Sequence, residues 1–360
     1  FVASMSMELS NQKKLSEFYE ELKRLQIPII RPDINMSNAD FFSDGKKFYY
    51  ALGAIKNVGF EAISQVVQER LKNGKFKNLS DFINRVNPKS INKLQLEGLV
   101  KAGAFDKINL NRQSIFNSIP NMILKSKNIS ENKSLNQFDL FSTEISEEIF
   151  IDKVEDWNKD TKLNKEFETL GFYISDHPLN QFKSIFKQYN INSFTNFENN
   201  KDILSSNIAC TILKVQEKKT QKGNSYAIVK FSDLNNVFEL FIFSDIFELN
   251  RDNLFEGNSV MVTLIKNYSD ENRIQKRINV KKIVSLKEVI NKPIKNITFK
   301  FDDVKDMHKL QNLNEEDGET NVKIIIDKNN EIMTFNMKNK RKVNNKLINS
   351  LNLVENVIFD

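Results

Sequence analysis

GAIKNVGFEAISQVVQERLKNG occupies residues 53–74 and contains the clearest structural pattern of the chain. Apolar residues recur every three to four positions on both sides of residues 55–59, which predicts a short helix, a tight turn and a longer helix ending at Gly74. Gly59 permits a tight backbone turn, and the N–H groups at the start of the next helix can bind a phosphate. This pattern is typical of a helix-hairpin-helix.

A second turn, residues 101–105 (KAGAF), follows a helix predicted from residue 91 and capped by Ser90. Two such turns, on a segment where Lys and Arg outnumber Asp and Glu, favour contact with the phosphates of duplex DNA. We assign that contact to Lys56, Asn57, Gly59, Lys72, Lys101 and Gly103. The alternative is a glycine-bearing turn of an ordinary helical domain.

Residues 207–286 change to the alternation of apolar and polar residues that is typical of strands. Five predicted strands separated by short turns indicate a small OB-type barrel over residues 200–287. Aromatic residues and a basic loop suit single-stranded DNA, and we assign this contact to Lys218, Lys219, Lys222, Tyr226, Lys276 and Arg277. The strands also contain Phe231, Phe238, Phe241 and Phe243, and the alternation requires about half of these aromatic side chains to be core.

The remaining segments complete a multidomain α+β fold class: a helical tandem helix-hairpin-helix module, a five-stranded OB β-barrel, and a small α+β C-terminal domain. Residues 126–160 turn from Asn/Ser/Lys-rich to acidic, which predicts a flexible linker. Its short apolar island, QFDLF, is suited to docking in a pocket through Gln137, Leu140 and Phe141. Residues 161–199 are predicted to be a helical connector, and residues 295–360 the C-terminal domain.

Composition and motifs exclude several classes of protein. Cys210 is the single cysteine, so an internal disulfide is ruled out and a reducing, cytoplasmic location is expected. No apolar stretch is long enough to span a membrane, and the first ten residues do not resemble a signal peptide. His177 and His308 are far apart in sequence, and no catalytic, metal-binding or cofactor-binding residue is assigned. The start at Phe1 indicates a piece of a longer protein.

Four sequence blocks together resemble the bacterial DNA polymerase III alpha subunit family, the replicative C-family polymerases, in its C-terminal portion. They are RPDINMSNADF (31–41), ALGAIKNVGFEAISQVVQER (51–70), INKLQLEGLVKAGAFD (91–106) and EFETLGFYISDHPL (166–179). The resemblance implies that residues 1–45 end the fingers domain, 46–125 are the tandem hairpin module and 200–287 the OB domain. It also implies that Gln137, Leu140 and Phe141 bind the beta sliding clamp and that residues 295–360 contact the tau subunit of the clamp loader.

By the same resemblance, the whole protein is a nucleotidyltransferase that uses Mg²⁺. The palm domain with its metal-binding carboxylates is not among these residues, so the chain by itself is expected to hold DNA and partner proteins without a cofactor. One alternative is a self-standing helix-hairpin-helix/OB protein of DNA repair. Another is an enzyme such as a DNA ligase, which needs a nucleotidyl-lysine motif or a cysteine zinc site, and the sequence has neither.

Overall fold

The computed structural model describes residues 1–87, 91–134, 149, 151–268, 275–314, 317–328 and 331–359. The chain divides into two compact units, Phe1–His177 and Pro178–Asp360. Each hydrophobic core cluster consists of residues from one unit alone. Helices and sheets occur in both units, which confirms the predicted mixed α+β character.

The first unit is mainly helical and contains one small sheet. Its strands pair in the order β1–β3–β2, with β1 parallel and β2 antiparallel to β3. A short 3-10 helix, Leu52–Ala54, precedes the predicted turn. The elements are α1 (Val2–Ser6), α2 (Gln12–Arg24), β1 (Ile29–Ile30), β2 (Phe42–Ser43), β3 (Phe48–Tyr49), α3 (Phe60–Asn73), α4 (Leu79–Arg85), α5 (Lys93–Lys101), α6 (Arg112–Ser134) and α7 (Lys159–Leu170).

Two helices of the first unit begin at residues that the sequence did not single out. The side chain of Asn78 accepts a hydrogen bond from the N–H of Asp81, so α4 begins at Leu79. Asn92 and Gln95 form a reciprocal capping box, so α5 begins at Lys93. The predicted cap Ser90 lies outside the described residues. Asparagine and serine cap helices about equally well, and the sequence does not distinguish neighbouring candidates.

Helix α6 extends through Ser134 and therefore enters the range predicted as a linker. Pro120 lies inside this helix, where it removes one backbone hydrogen bond, and the Asn/Ser/Lys-rich sequence that follows has no regular apolar spacing. At the far end of the range, Ile149 is buried and its N–H donates to Ser80 Oγ at 2.9 Å. Residues on both sides of Gln137–Phe141 therefore belong to the first unit.

A buried arginine fixes α3 to the extended segment that precedes it. The Arg70 guanidinium donates to the carbonyl oxygens of Ile34 at 2.8 Å and Ser37 at 2.6 Å, and to Asn38 Oδ1 at 3.0 Å. Burial lowers the pKa of Arg70. Rotation of α3 would leave a buried charge without these acceptors, which is costly, so α3 has one favoured orientation.

The end of α7 turns back on itself around a buried carboxylate. Gly171 follows the helix with φ +82°, and the Glu166 side chain then accepts N–H hydrogen bonds from Ile174 at 2.7 Å and Ser175 at 2.8 Å. Burial raises the pKa of Glu166 above its ordinary value. This block also contacts the predicted turn, because the N–H of Lys56 donates to the Thr169 carbonyl oxygen at 3.0 Å.

The second unit begins with a 3-10 helix (Pro178–Phe182) and two short α-helices. A five-stranded antiparallel sheet follows, in the order β6–β5–β4–β7–β8. All five strands coincide with the predicted ones, although the described residues contain no closed hydrogen-bonded barrel. The elements are α8 (Lys183–Gln188), α9 (Phe194–Asn199), β4 (Ser205–Lys219), β5 (Ser225–Ser232), β6 (Val237–Ile242), α10 (Ser244–Leu249), β7 (Ser259–Tyr268), β8 (Gln275–Ser285) and α11 (Leu286–Val289).

A smaller four-stranded sheet follows in the order β11–β10–β9–β12, with β9 parallel to β10 and the other pairs antiparallel. Its core includes Phe299 and Phe301. Residues 295–360 therefore contain both helices and strands, in agreement with the α+β character predicted there. The elements are β9 (Asn296–Phe301), β10 (Asp317–Lys328), β11 (Glu331–Asn336), α12 (Asn345–Ser350) and β12 (Val357–Phe359), with a 3-10 helix at Val304–Asn314.

Candidate nucleic-acid interface

The first hairpin, residues 55–59, separates its apolar and polar side chains sharply. Ile55 and Val58 are buried, and the N–H of Val58 donates to the Ile55 carbonyl oxygen at 3.0 Å. Lys56, Asn57 and Gly59 are exposed at the tip. The buried pair anchors the turn in the core, and the three residues assigned to duplex DNA are accessible to a ligand.

The start of α3 presents backbone N–H groups at this tip. Gly59 is the N-cap residue and has no side chain that could accept hydrogen bonds from the first turn. The first N–H groups of a helix lack partners within the helix, and the helix dipole makes this end favourable for an anion. A phosphate could therefore accept hydrogen bonds from the start of this 14-residue helix.

Helix α5 packs directly on the first hairpin through a glycine. A Cβ atom on Gly98 would lie 2.8 Å from the Lys56 carbonyl oxygen and 3.2 Å from Val58 Cγ2. Near the start of α5, Gln95 Nε2 lies 3.3 Å from the position of a Cβ on Gly59. The starts of α3 and α5 are thus neighbours, and we call residues 59–61 and 92–95 the paired helix starts.

The lysines of the first unit lie at different distances from the paired helix starts. Lys56 is exposed at the hairpin. Lys93, the first residue of α5, has a side chain that is 66% exposed, and its Nζ lies 3.8 Å from Glu97 Oε1. Lys72 lies near the other end of α3, roughly 20 Å away at the rise of an α-helix. Sequence reasoning did not identify Lys93, because the contact between Gly59 and Gln95 is a tertiary one.

The second hairpin, residues 101–105, has a different environment. Gly103 has φ +78° and is buried under Arg112, whose guanidinium binds Asp106 through two hydrogen bonds of 2.8 and 2.6 Å. Lys101 Nζ lies 2.8 Å from Glu168 Oε1. Gly103 is thus buried, and the Lys101 ammonium group already has an acidic partner. Their assignment to DNA stays a prediction.

On the second unit, the outward face of β4, β5 and β6 combines basic and aromatic side chains. Residues paired across antiparallel strands lie on the same face of a sheet. Three rows result: Lys214–Lys230–Glu239, Gln216–Ile228–Phe241 and Lys218–Tyr226. The alternate residues are core, including Phe231 and Phe238, whereas Phe241 is 48% exposed. The structure thus separates core aromatics from accessible ones.

Two further features border this face. Lys218 and Lys219 end β4, and Lys222 is exposed in the turn that leads to β5, where Gly223 has φ +85°. Just after the end of β6, the Phe243 ring centroid lies 4.8 Å from the Arg277 guanidinium. The exposed lysines are accessible to a phosphate backbone. Lys276 belongs to β8, but its side chain lies outside the described residues.

Comparison with known proteins identifies the family. A family model described as "Helix-hairpin-helix motif" matches residues 26–115, which confirms the predicted hairpin. DNA polymerase III subunit alpha of Borreliella burgdorferi is 31% identical over 307 residues, covering 83% of this chain and 26% of the relative. The same subunit of Caulobacter vibrioides is 32% identical over 267 residues, covering 73% and 23%. That of Rickettsia bellii is 34% identical over 306 residues, covering 76% and 26%.

The chain belongs to the DNA polymerase III alpha subunit family. The resemblance seen in the four sequence blocks is thereby confirmed. The chain spans about a quarter of the length of these curated relatives. The family match concerns the first unit most directly, because the helix-hairpin-helix model covers β1 to β3, α3, α4 and α5.

Cys210 and the other residue types that could carry chemistry form no further site among the described residues. Cys210 is fully buried in the five-stranded sheet, which raises the pKa of its thiol. Within the described ranges, no three His, Cys, Asp or Glu side chains are grouped so that they could hold a metal ion. No described helix combines the length and the apolar character that crossing a membrane requires. Gln137, Leu140 and Phe141 lie outside the described residues.

Proposed function

We propose that this chain holds DNA for a replicative DNA polymerase and connects that polymerase to the sliding clamp and the clamp loader. The observation that supports it best is the meeting of two helix starts at an exposed glycine hairpin, inside the range matched by the helix-hairpin-helix model. Polymerase activity of the whole protein, and the Mg²⁺ that it would use, are part of the proposal and are assigned to no residue of this chain.

In the proposed duplex contact, the first N–H groups of α3 bind one phosphate of a DNA strand. Lys56 and Lys93 flank this position and neutralise neighbouring phosphates, releasing counterions. Such contacts fix the position of the duplex without reading its sequence, which suits a polymerase that must move along any template. Lys72, Lys101 and Gly103 would extend the path only if the duplex passes along the length of α3 and α5.

Salt dependence of duplex binding tests this contact. We expect Lys56→Gln to weaken binding of the chain to a duplex of about 25 base pairs and to lower the slope of log K against log salt by about one. Lys292→Gln, which removes an exposed lysine of the second unit, is the matched control and should leave the slope unchanged. Equal slopes for wild type and Lys56→Gln would rule out the hairpin contact.

We also propose that the five-stranded sheet is an OB fold that binds single-stranded DNA. Its central first strand, with the third and fifth strands at the two ends of the order, supports this fold assignment. Tyr226 on the outward face would stack on a base, while Lys218, Lys219, Lys222, Lys276 and Arg277 contact phosphates. Tyr226→Ala should weaken binding to an oligothymidine several-fold, whereas Tyr189→Ala, outside this sheet, is the control.

Clamp binding by Gln137, Leu140 and Phe141 is proposed from the sequence and the family. Surface plasmon resonance should show that Leu140→Ala with Phe141→Ala abolishes binding to the beta sliding clamp while duplex affinity is retained. Unchanged clamp binding by the double variant would contradict the assignment.

Tau binding by residues 295–360 is proposed from the family alone. We expect deletion of these residues to abolish tau binding.

A further inference from the structure

Two large apolar side chains are exposed at the paired helix starts. Phe60 is the first residue of α3 and is 42% exposed, and Leu94 is the second residue of α5 and is 57% exposed. Each is next in sequence to one member of the close contact between Gly59 and Gln95. Apolar side chains placed among Lys56, Lys93 and the first backbone N–H groups of α3 are therefore part of the same surface as the proposed phosphate site.

The Phe60 ring packs against the backbone at a second glycine, Gly53. Phe60 Cδ2 lies 3.0 Å from the position that a Cβ on Gly53 would occupy, and that Cβ would also lie 2.6 Å from the Ala39 carbonyl oxygen. The missing side chain at residue 53 thus leaves room for the ring beside the backbone. Because the ring packs there, it loses little conformational freedom when a ligand covers its exposed part.

We propose that Phe60 and Leu94 contact the deoxyribose rings of the duplex strand whose phosphate is bound at the start of α3, an inference that rests on the proposed duplex binding. Sugars and phosphates alternate along a strand, so groups beside a bound phosphate meet the neighbouring sugar. Deoxyribose presents carbon atoms there, which apolar side chains can cover. The exposed Lys56 and Lys93 beside this surface, opposed by Glu61 in the first turn of α3, favour a nucleic acid over an apolar protein partner.

The apolar contact should have a different thermodynamic signature from the lysine contacts. Covering carbon surface releases no counterions, so its share of the affinity is independent of salt, whereas each phosphate contact contributes to the salt slope. Partial burial of a phenylalanine and a leucine is sufficient for about a tenfold change in affinity. The pair would thus keep the duplex bound under conditions in which salt has weakened the lysine contacts.

Duplex binding by Phe60→Ala with Leu94→Ala, measured by fluorescence anisotropy over a range of salt concentrations, tests the proposal. We expect affinity to fall about tenfold at every salt concentration with the slope unchanged. The matched control is Leu71→Ala with Leu249→Ala, which removes two apolar side chains that are 73% and 81% exposed elsewhere, and it should bind as wild type does. Phe60→Leu should retain most of the affinity.

Unchanged affinity in the Phe60/Leu94 double variant would overturn the proposal, and so would a loss accompanied by a lower salt slope, since that would mean disturbed phosphate contacts. Circular dichroism and thermal unfolding identical to wild type establish that both double variants are folded. Lys56→Gln distinguishes the sugar contact from the hairpin contact. If Lys56→Gln lowers the salt slope and the double variant has no effect, the sugar contact alone is refuted. If Lys56→Gln leaves the salt slope unchanged, hairpin binding itself is refuted.

Discussion

Asn57 shows how one residue defines the shape of the first hairpin. Its φ of +67° lies in the left-handed region, which residues other than glycine, asparagine and aspartate rarely adopt. This conformation lets the chain reverse between the buried Ile55 and Val58 and leaves the tip exposed. The accessible N–H groups at the start of α3 therefore depend on a local backbone conformation, and not on the Asn57 side chain alone.

The effect of a substitution at Asn57 on stability should depend on how readily the new residue adopts a positive φ. Asn57→Ala is expected to lower the free energy of unfolding of the first unit by about 1 kcal/mol, because alanine disfavours the left-handed region. Asn57→Gly should be neutral or slightly stabilising. Urea unfolding followed by circular dichroism measures both, with Lys72→Ala, at an exposed position of α3, as the control. Equal stability of the alanine and glycine variants would contradict this account.

His177 is held in its neutral form by its surroundings. Burial, reinforced by the positive charge of Lys23, lowers its pKa to about 4, although the negative charge of Asp176 opposes the shift. The folded state thus binds a proton less readily than the unfolded chain. The contribution of His177 to the free energy of unfolding is complete above about pH 6.5 and is lost as the pH falls towards 4, by at most about 3 kcal/mol.

Glu166 changes stability with pH in the opposite direction. Its raised pKa favours the folded state in acid, and this gain in the free energy of unfolding disappears as the pH rises through that pKa.

Proton NMR can test the His177 pKa directly, because the chain has two histidines. The imidazole signal that disappears in His177→Gln should titrate with a pKa of about 4 in the folded protein. The same variant should reduce the acid sensitivity of unfolding between pH 6.5 and 4. A His177 signal that titrates near 6.5 would show that burial does not control this residue.

Residue types alone predicted the first hairpin but not the accessibility of every assigned side chain. Lys56, Asn57 and Gly59 are exposed as expected, because a turn anchored by two apolar residues must present the others. Lys101 faces Glu168, which is distant in sequence, so no local pattern could reveal that pairing. Phe241 and Phe238 belong to the same strand, and only the sheet register shows which one is core.

Among whole elements, strands were easier to predict than helix ends. The five strands of the large sheet are apolar runs separated by short turns, and β6 alternates strictly between exposed and buried residues, so their positions follow from the sequence. Helix ends depend on which of several polar residues binds the first N–H groups, and Asn78 and Asn92 occupy those positions here. The continuation of α6 to Ser134 also could not be predicted, because its last turns have no regular apolar spacing.

The close packing of α5 on the first hairpin makes Gly98 sensitive to any side chain. In an exposed helix, Gly→Ala gains about 1 kcal/mol of stability. At Gly98 we expect the opposite sign, because the new Cβ would meet the Lys56 carbonyl oxygen at 2.8 Å and displace the hairpin. Duplex affinity should fall together with stability. Thermal unfolding and anisotropy of Gly98→Ala measure both, and a stabilised variant with normal affinity would contradict this packing argument.

At the scale of the whole molecule, the two units should be separable. Each core cluster stays on one side of the bond between His177 and Pro178, so cleavage there leaves every cluster intact. We expect residues 1–177 to fold and bind duplex DNA, and residues 178–360 to fold and bind single-stranded DNA. Separate expression, circular dichroism and anisotropy test this. An unfolded 1–177 fragment would show that its core is insufficient.

The anchoring of α6 and Ile149 in one unit sets a geometric limit on the proposed clamp contact. Ser134 ends α6 and Ile149 is buried, with residues 135–148 between them. Even a fully extended chain places Leu140 no more than roughly 20 Å from the end of α6. A clamp bound there would search a volume only a few nanometres across, equivalent to a local concentration in the millimolar range. In the proposed clamp-bound complex, a duplex that left the hairpin would rebind before this chain could diffuse away.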